Sequence, residues 1–183
     1  GPRRGKIKVS PDGGCILMIN NNVGFPPLYN YIVKVDASGN IEWQKESLRF
    51  INDAITRDVI MDGSFMYTIG DFYVTNTIIN NIEVNKINLV TGETVYSRRM
   101  MAPGKHNTVQ RAFLTQDTLY LAAAISYEPS LFNYVHHFGI SKLDPQTGLP
   151  YPNSIEITAP NLSPVAPFGF DWPGGRNYLI DRT

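Results

Sequence analysis

Polar turns and apolar runs alternate along this chain in a pattern that comes round three times. Asp12-Gly13-Gly14 leads into Cys15-Ile16-Leu17-Met18-Ile19, Asp62-Gly63-Ser64 into Phe65-Met66-Tyr67-Thr68-Ile69, and Gln116-Asp117-Thr118 into Leu119-Tyr120-Leu121-Ala122-Ala123. The runs are short, rich in β-branched and aromatic residues and bounded by turn formers, as strands are. Another strand is expected upstream of each, in Lys6-Ile7-Lys8-Val9, Arg57-Asp58-Val59-Ile60-Met61 and Gln110-Arg111-Ala112-Phe113-Leu114. After a linker comes a recurring phrase that runs from Lys34 through Asp36 and Gly39 to Trp43, from Lys86 through Asn88 and Gly92 to Tyr96, and from Lys142 through Asp144 and Gly148 to Tyr151. Its lysines stand 52 and 56 residues apart, at or just above the ~20–50-residue periods of solenoids and propellers.

The phrase reads as a hairpin. An Asp or Asn side chain can bond the backbone just ahead of it, while Gly39, Gly92 and Gly148 accept the positive φ that closes the turn. Each unit then comprises four antiparallel strands. Helical periodicity is weak throughout, and the most helix-tolerant stretch, Ser47 to Thr56, has no sustained apolar stripe. The expected fold is all-β, with four-stranded β-propeller blades in one segment spanning residues 1–183: about 5–50, about 56–102, about 108–158, and a partial fourth unit at about 165–183. The last starts with Pro173-Gly174-Gly175-Arg176-Asn177-Tyr178-Leu179-Ile180-Asp181, which repeats the pattern of Asp12 to Asn20. Propellers close with about four to eight blades, so three and a half imply an incomplete ring. Further sequence, another chain, or a small irregular closure would complete it.

The glycine pair before an apolar strand, followed by Val33-Lys34-Val35-Asp36, Gly39-Asn40 and Trp43, resembles the propeller repeats of secreted and cell-surface bacterial proteins, including those of Bacteroidetes. It is also similar to quinoprotein-type repeats, in which an acidic residue, a Thr-Gly turn and a following tryptophan lock adjacent blades. That resemblance implies blade-locking roles for Gly39, Gly92 and Gly148 and for the docking aromatics Trp43, Tyr96 and Tyr151. Thr91-Gly92 and Thr147-Gly148 keep the turn. A quinoprotein dehydrogenase would also show adjacent cysteines beneath its cofactor, and this chain has one cysteine in total.

Sixteen basic and 16 acidic side chains cancel, without the concentrated basic surface that nucleic acid requires, so no nucleic-acid partner is expected. No run approaches the ~18 apolar residues of a membrane-spanning helix. Cys15 lies in an apolar run and reads as a small hydrophobe. Gly1-Pro2 reads as a scar of tag removal, which would hide the natural start.

No residue set reads as a catalytic centre, cofactor site or metal site. His136 and His137 are adjacent in an expected strand and so point to opposite faces, and His106 falls in an expected loop. Asp36, Ser38, Asn40 and Glu42 place oxygens at alternate positions, but a hairpin explains them and the calcium-loop pattern is missing. Asn161-Leu162-Ser163 is the one glycosylation triplet and is followed by Pro164; the proline-rich stretch from Thr158 to Pro167 reads as an extended connector.

Three aromatic linkers between second and third strands carry Tyr29 and Tyr31, Phe72 and Tyr73 (beside Asp71), and Tyr127, Phe132 and Tyr134. Equivalent linkers emerge on one side of a propeller, where they would form a contact surface for protein or glycan. The expected function is therefore a non-enzymatic platform on a secreted or surface-attached protein. A propeller enzyme, such as a quinone-dependent dehydrogenase or glycan-processing lyase with its catalytic residues elsewhere, is one alternative; an intracellular assembly scaffold is the other.

Overall fold

The computed structural model describes residues 4–21, 29–47, 55–73, 80–100, 105–127, 135–152 and 155–158. These form twelve strands and no helix: β1 (Arg4–Val9), β2 (Cys15–Asn21), β3 (Tyr29–Val35), β4 (Ile41–Ser47), β5 (Ile55–Asp62), β6 (Phe65–Tyr73), β7 (Asn80–Asn88), β8 (Thr94–Met100), β9 (Lys105–Leu114), β10 (Leu119–Tyr127), β11 (Val135–Leu143) and β12 (Ile155–Thr158). They build three four-stranded antiparallel sheets in the orders β1-β2-β3-β4, β5-β6-β7-β8 and β9-β10-β11-β12. The fold is all-β, and each sheet is a propeller-like blade in which consecutive strands are neighbours. The expected fourth unit lies outside the described residues.

Strand alternation gives every blade two apolar faces. On β2 and β3 of the first blade, Ile16, Met18 and Ile32 are buried together with Val59, Met66, Ile87 and Leu89 of the second. The second blade turns Tyr67, Ile69, Ile82, Val84 and Tyr96 to the third, where they meet Val109, Leu119, Leu121, Ala123 and Leu143. Among the described residues the core thus consists of two inter-blade layers, as expected of units that bury their faces only against neighbours.

Register makes the equivalences explicit. Lys34, Lys86 and Lys142 pair with Ile16, Tyr67 and Tyr120 on the second strand of their blades. The apolar runs suggest Phe65 as the counterpart of Cys15, but Phe65 pairs with Asn88, and it is Met66, opposite Ile87, that matches Cys15 opposite Val35. A one-residue offset in the turn before β6 exchanges the two faces of that run.

Two other expectations change. Strand pairing extends through the linkers, so Tyr29 and Tyr31 belong to β3, Phe72 and Tyr73 to β6, and Tyr127 to β10. His106 sits in β9 rather than a loop. Of the helix-tolerant stretch, Ser47 ends β4 while Ile55 and Thr56 begin β5.

Candidate functional site

The conspicuous chemistry lies where one blade meets the next, and it is built on the turn of the recurring phrase. Asn88 Oδ1 accepts the backbone N–H groups of Val90 and Thr91 at 2.8 and 3.2 Å, and Asp144 Oδ1 accepts that of Gln146 at 2.8 Å. Gly92 and Gly148 close these turns at φ 73° and 70°. An Asx turn of this kind fixes the carbonyl of the residue after the Asx, which is Leu89 in the second blade and Pro145 in the third.

Those carbonyls are where the preceding blade docks. Trp43 Nε1 donates to the Leu89 carbonyl at 2.8 Å, and the Trp43 ring lies so close over Gly92 that an added Cβ would stand 2.9 Å from it. Lys45 reaches the Gly92 carbonyl and the Thr94 hydroxyl. One blade on, the Tyr96 hydroxyl donates to the Pro145 carbonyl at 3.3 Å, and a Cβ on Gly148 would come within 2.5 Å of the Tyr96 ring. Glycine is required at both positions for two reasons, its positive φ and the ring seated against it.

The second junction is the richer one. Tyr67 Oη donates to the same Pro145 carbonyl at 3.1 Å, as does Lys86 Nζ at 3.2 Å, while Lys86 also reaches Gln146 Oε1 at 2.9 Å. Burial pushes the Tyr67 phenol up to about 12 and raises that of Tyr96 further, so both remain hydrogen-bond donors at neutral pH. Burial also lowers the Lys86 ammonium, whose charge rests 4.4 Å from the Phe65 ring centroid in a cation–π contact. Lys34, at the matching position of the first blade, is held differently, by the carboxylates of Asp12 and Glu42. Burial opposes its charge, but those two hydrogen bonds outweigh burial and raise its pKa.

Carboxylates of β5 and β6 join the second blade to β9 of the third. Asp71 Oδ1 accepts the Val109 N–H at 2.9 Å, and Asp58 Oδ2 accepts that of Ala112 at 3.0 Å, both across the second junction. Arg57 Nε pairs with Asp71 Oδ2 at 2.6 Å. Asp71, expected in a rim linker, is instead 1% exposed, and burial raises its pKa against the pull of Arg57. Nothing local in the sequence distinguishes these carboxylates, whose partners lie 38 and 54 residues away.

Tyr151 and Gly39 complete the set of expected blade-locking residues, and neither meets another blade among the described residues. The Tyr151 hydroxyl donates to the Asp117 carbonyl of its own blade. Gly39 has a φ of 89°, and among the described residues nothing lies within 4 Å of where its Cβ would stand. Asp36 accepts the N–H groups of Ser38 and Asn40 and the Asn40 amide, so its oxygens serve the turn.

At the opposite ends of the sheets, Tyr29 pairs with Asn21, Tyr73 with Asn80, and Tyr127 with Lys105 and Val135. Phe72 pairs with Asn81, and Tyr31, which is exposed, pairs with Ile19. Each of Tyr29, Tyr73 and Tyr127 therefore stands at the far end of the hairpin between a blade's second and third strands. Phe132 and Tyr134 lie outside the described residues. His136 and His137 are in β11, opposite Ser126 and Ile125.

Set beside known proteins, the chain matches no family model and no curated protein. Its function is therefore argued from the geometry.

Proposed function

We propose that this chain is a non-enzymatic binding and structural module of propeller type, a rigid platform for protein or carbohydrate contacts on a secreted or surface-attached protein. The observation that carries the reading is that Tyr29, Tyr73 and Tyr127 all stand at the same end of three successive sheets, Tyr29 at the start of a third strand and Tyr73 and Tyr127 at the ends of second strands, the first two opposite Asn21 and Asn80. Aromatic rings stack on sugar faces and anchor protein interfaces, and asparagine amides donate to and accept from hydroxyl groups. Rigidity supports the same reading, since each junction combines a buried apolar layer with bonds from side chains to turn carbonyls. A preorganised surface binds without the cost of ordering loops. The likeness of the repeats to secreted and cell-surface propellers supports the location, and further blades supplied by the same or another chain would continue the array.

The test is the triple variant Tyr29→Ala, Tyr73→Ala, Tyr127→Ala, screened against a glycan array and a panel of extracellular proteins beside the unaltered chain. Expected is binding by the unaltered chain that the variant loses while its unfolding midpoint holds. Binding that survives the triple change, or a variant that unfolds, would show that these tyrosines serve the fold alone.

A further inference from the structure

The second blade breaks the repeat on the face it turns to the first. Counting from Cys15, Met66 and Leu119, the cross-strand pair Thr68 with Asn85 matches Leu17 with Val33 in the first blade and Leu121 with Ser141 in the third. Gly70 with Glu83 likewise matches Ile19 with Tyr31 and Ala123 with Gly139. On the next strand Asn85 pairs with Ser97 and Glu83 with Arg99. A threonine, an asparagine and an ion pair thus stand inside a junction where the other blades carry apolar or small residues, and Thr68 and Glu83 are 4% and 7% exposed. Such a break in an otherwise consistent pattern is expected at functional positions.

Thr68, Glu83 and Asn85 line a part-open cavity of about 20 Å³ between the two blades, closed by Ile32 and Lys45 of the first and Ile87 and Thr94 of the second. It has room for one water molecule or one hydroxyl group. Asn85 Nδ2 donates to Thr68 Oγ1 at 3.3 Å, and Arg99 Nε to Glu83 Oε1 at 3.0 Å. Among the described residues, these bonds leave Glu83 Oε2 and Asn85 Oδ1 to accept from a guest. Lys45 bonds the Gly92 carbonyl and the Thr94 hydroxyl and keeps a third proton to donate. Charge around the cavity cancels, Arg99 against Glu83 and Lys45 against nearby Glu93. The lining therefore suits a neutral group that both donates and accepts. Its polar half lies toward the tyrosines: on β7, Glu83 stands three residues from Asn80, the partner of Tyr73, about 10 Å at the rise of a strand. In the first blade the row beyond Met18 and Ile32, made of Asn20, Asn30 and Ser47, is polar as well.

Resting on the platform reading, we propose that the polar half of the first junction is a carbohydrate subsite, where a neutral oligosaccharide lying on the tyrosine end inserts one hydroxyl group between the first and second blades. That hydroxyl donates to Glu83 Oε2 or Asn85 Oδ1 and accepts from Lys45 Nζ. Arg99, bonded to the other Glu83 oxygen, positions the carboxylate. A saccharide is the ligand that joins such a hydroxyl to ring faces on which tyrosines stack. The second junction has an apolar layer at this level, with Ile69, Val84 and Leu121 buried together.

The probes are methyl pyranosides of glucose, galactose, mannose and N-acetylglucosamine, with a disaccharide of each, titrated into the isotope-labelled chain and followed by NMR. Expected are shifts of the Asn85 side-chain amide together with resonances of Tyr29 or Tyr73. The double variant Thr68→Leu, Asn85→Val installs the first blade's own pair. It should hold or raise the unfolding midpoint while weakening binding roughly tenfold or more, the effect of losing a buried hydrogen-bond partner. Should that variant fail to fold, Glu83→Gln carries the same test, because it keeps the size of the side chain and removes the charge that strengthens the bond. Sugar binding that the variants keep, or shifts confined to the tyrosine end, would overturn the subsite and leave the platform reading standing. If none of these sugars binds, the carbohydrate assignment falls, and the platform reading is then judged by its panel of extracellular proteins.

Discussion

The Tyr96 hydroxyl and the Pro145 carbonyl meet across the second and third blades at 3.3 Å. Tyr67 and Lys86 donate to the same oxygen, which has two lone pairs to offer. Removing one donor leaves the acceptor satisfied; removing two leaves Lys86 to hold the turn. Tyr96→Phe and Tyr67→Phe should each cost about 0.5–1 kcal/mol, and the double variant should cost more than their sum, as residues sharing a partner do. Urea unfolding of the three variants checks this.

The phrase that forms this junction was legible in the sequence because Asx turns and positive-φ glycines are local chemistry. Asp36, Asn88 and Asp144 announce their turns within four residues, and the strands on either side follow from alternation. What the turn carbonyls would receive was less visible, since Trp43 and Leu89 are 46 residues apart. The one-residue offset at Phe65 was hidden by a continuous apolar run that fits either face. Asp71 looked like a polar member of an aromatic rim because its partners, Arg57 and Val109, come together only when two blades pack.

Alanine at three glycines should separate backbone strain from close approach. Gly39, Gly92 and Gly148 all have φ near 70–90°, where a Cβ costs about 1–2 kcal/mol. At Gly92 and Gly148 the Cβ also strikes the Trp43 and Tyr96 rings, adding roughly 1–3 kcal/mol of overpacking. Gly39→Ala, measured by urea unfolding at low protein concentration, should be the mildest of the three.

Asp71 answers two donors, Arg57 and the Val109 N–H, from a buried position. Asp71→Ala strands both. Because Arg57 is about one-third exposed and can rehydrate, the loss should fall near ~3 kcal/mol, the lower end for a broken buried pair. Hydrogen exchange should quicken at Val109 more than within β3.

Acid should loosen the first blade through Asp12. Its carboxyl is held at about 2 by the hydrogen bond from Lys34, below the ordinary 3.8, so the folded state binds a proton less readily than the unfolded chain. The stability Asp12 contributes is present above about pH 4 and disappears as the pH falls toward 2. Asp71 acts in the opposite sense, because burial raises its pKa and its ionisation costs stability as the pH climbs through that raised value. Lys34→Met should flatten the acid limb of an unfolding-midpoint profile between pH 4 and 2; an unchanged limb would remove Asp12 from the account.

The central claim is that an aromatic ring seated on a turn glycine joins each blade to the next. A double-mutant cycle on Tyr96→Ala and Gly148→Ala by denaturant unfolding tests it most directly. If the Gly148 Cβ is costly because it strikes the Tyr96 ring, that cost shrinks once the ring is gone, and the double variant is more stable than the summed losses by about 1 kcal/mol or more. Strictly additive losses would mean that ring and glycine do not meet, and would contradict the junction described here.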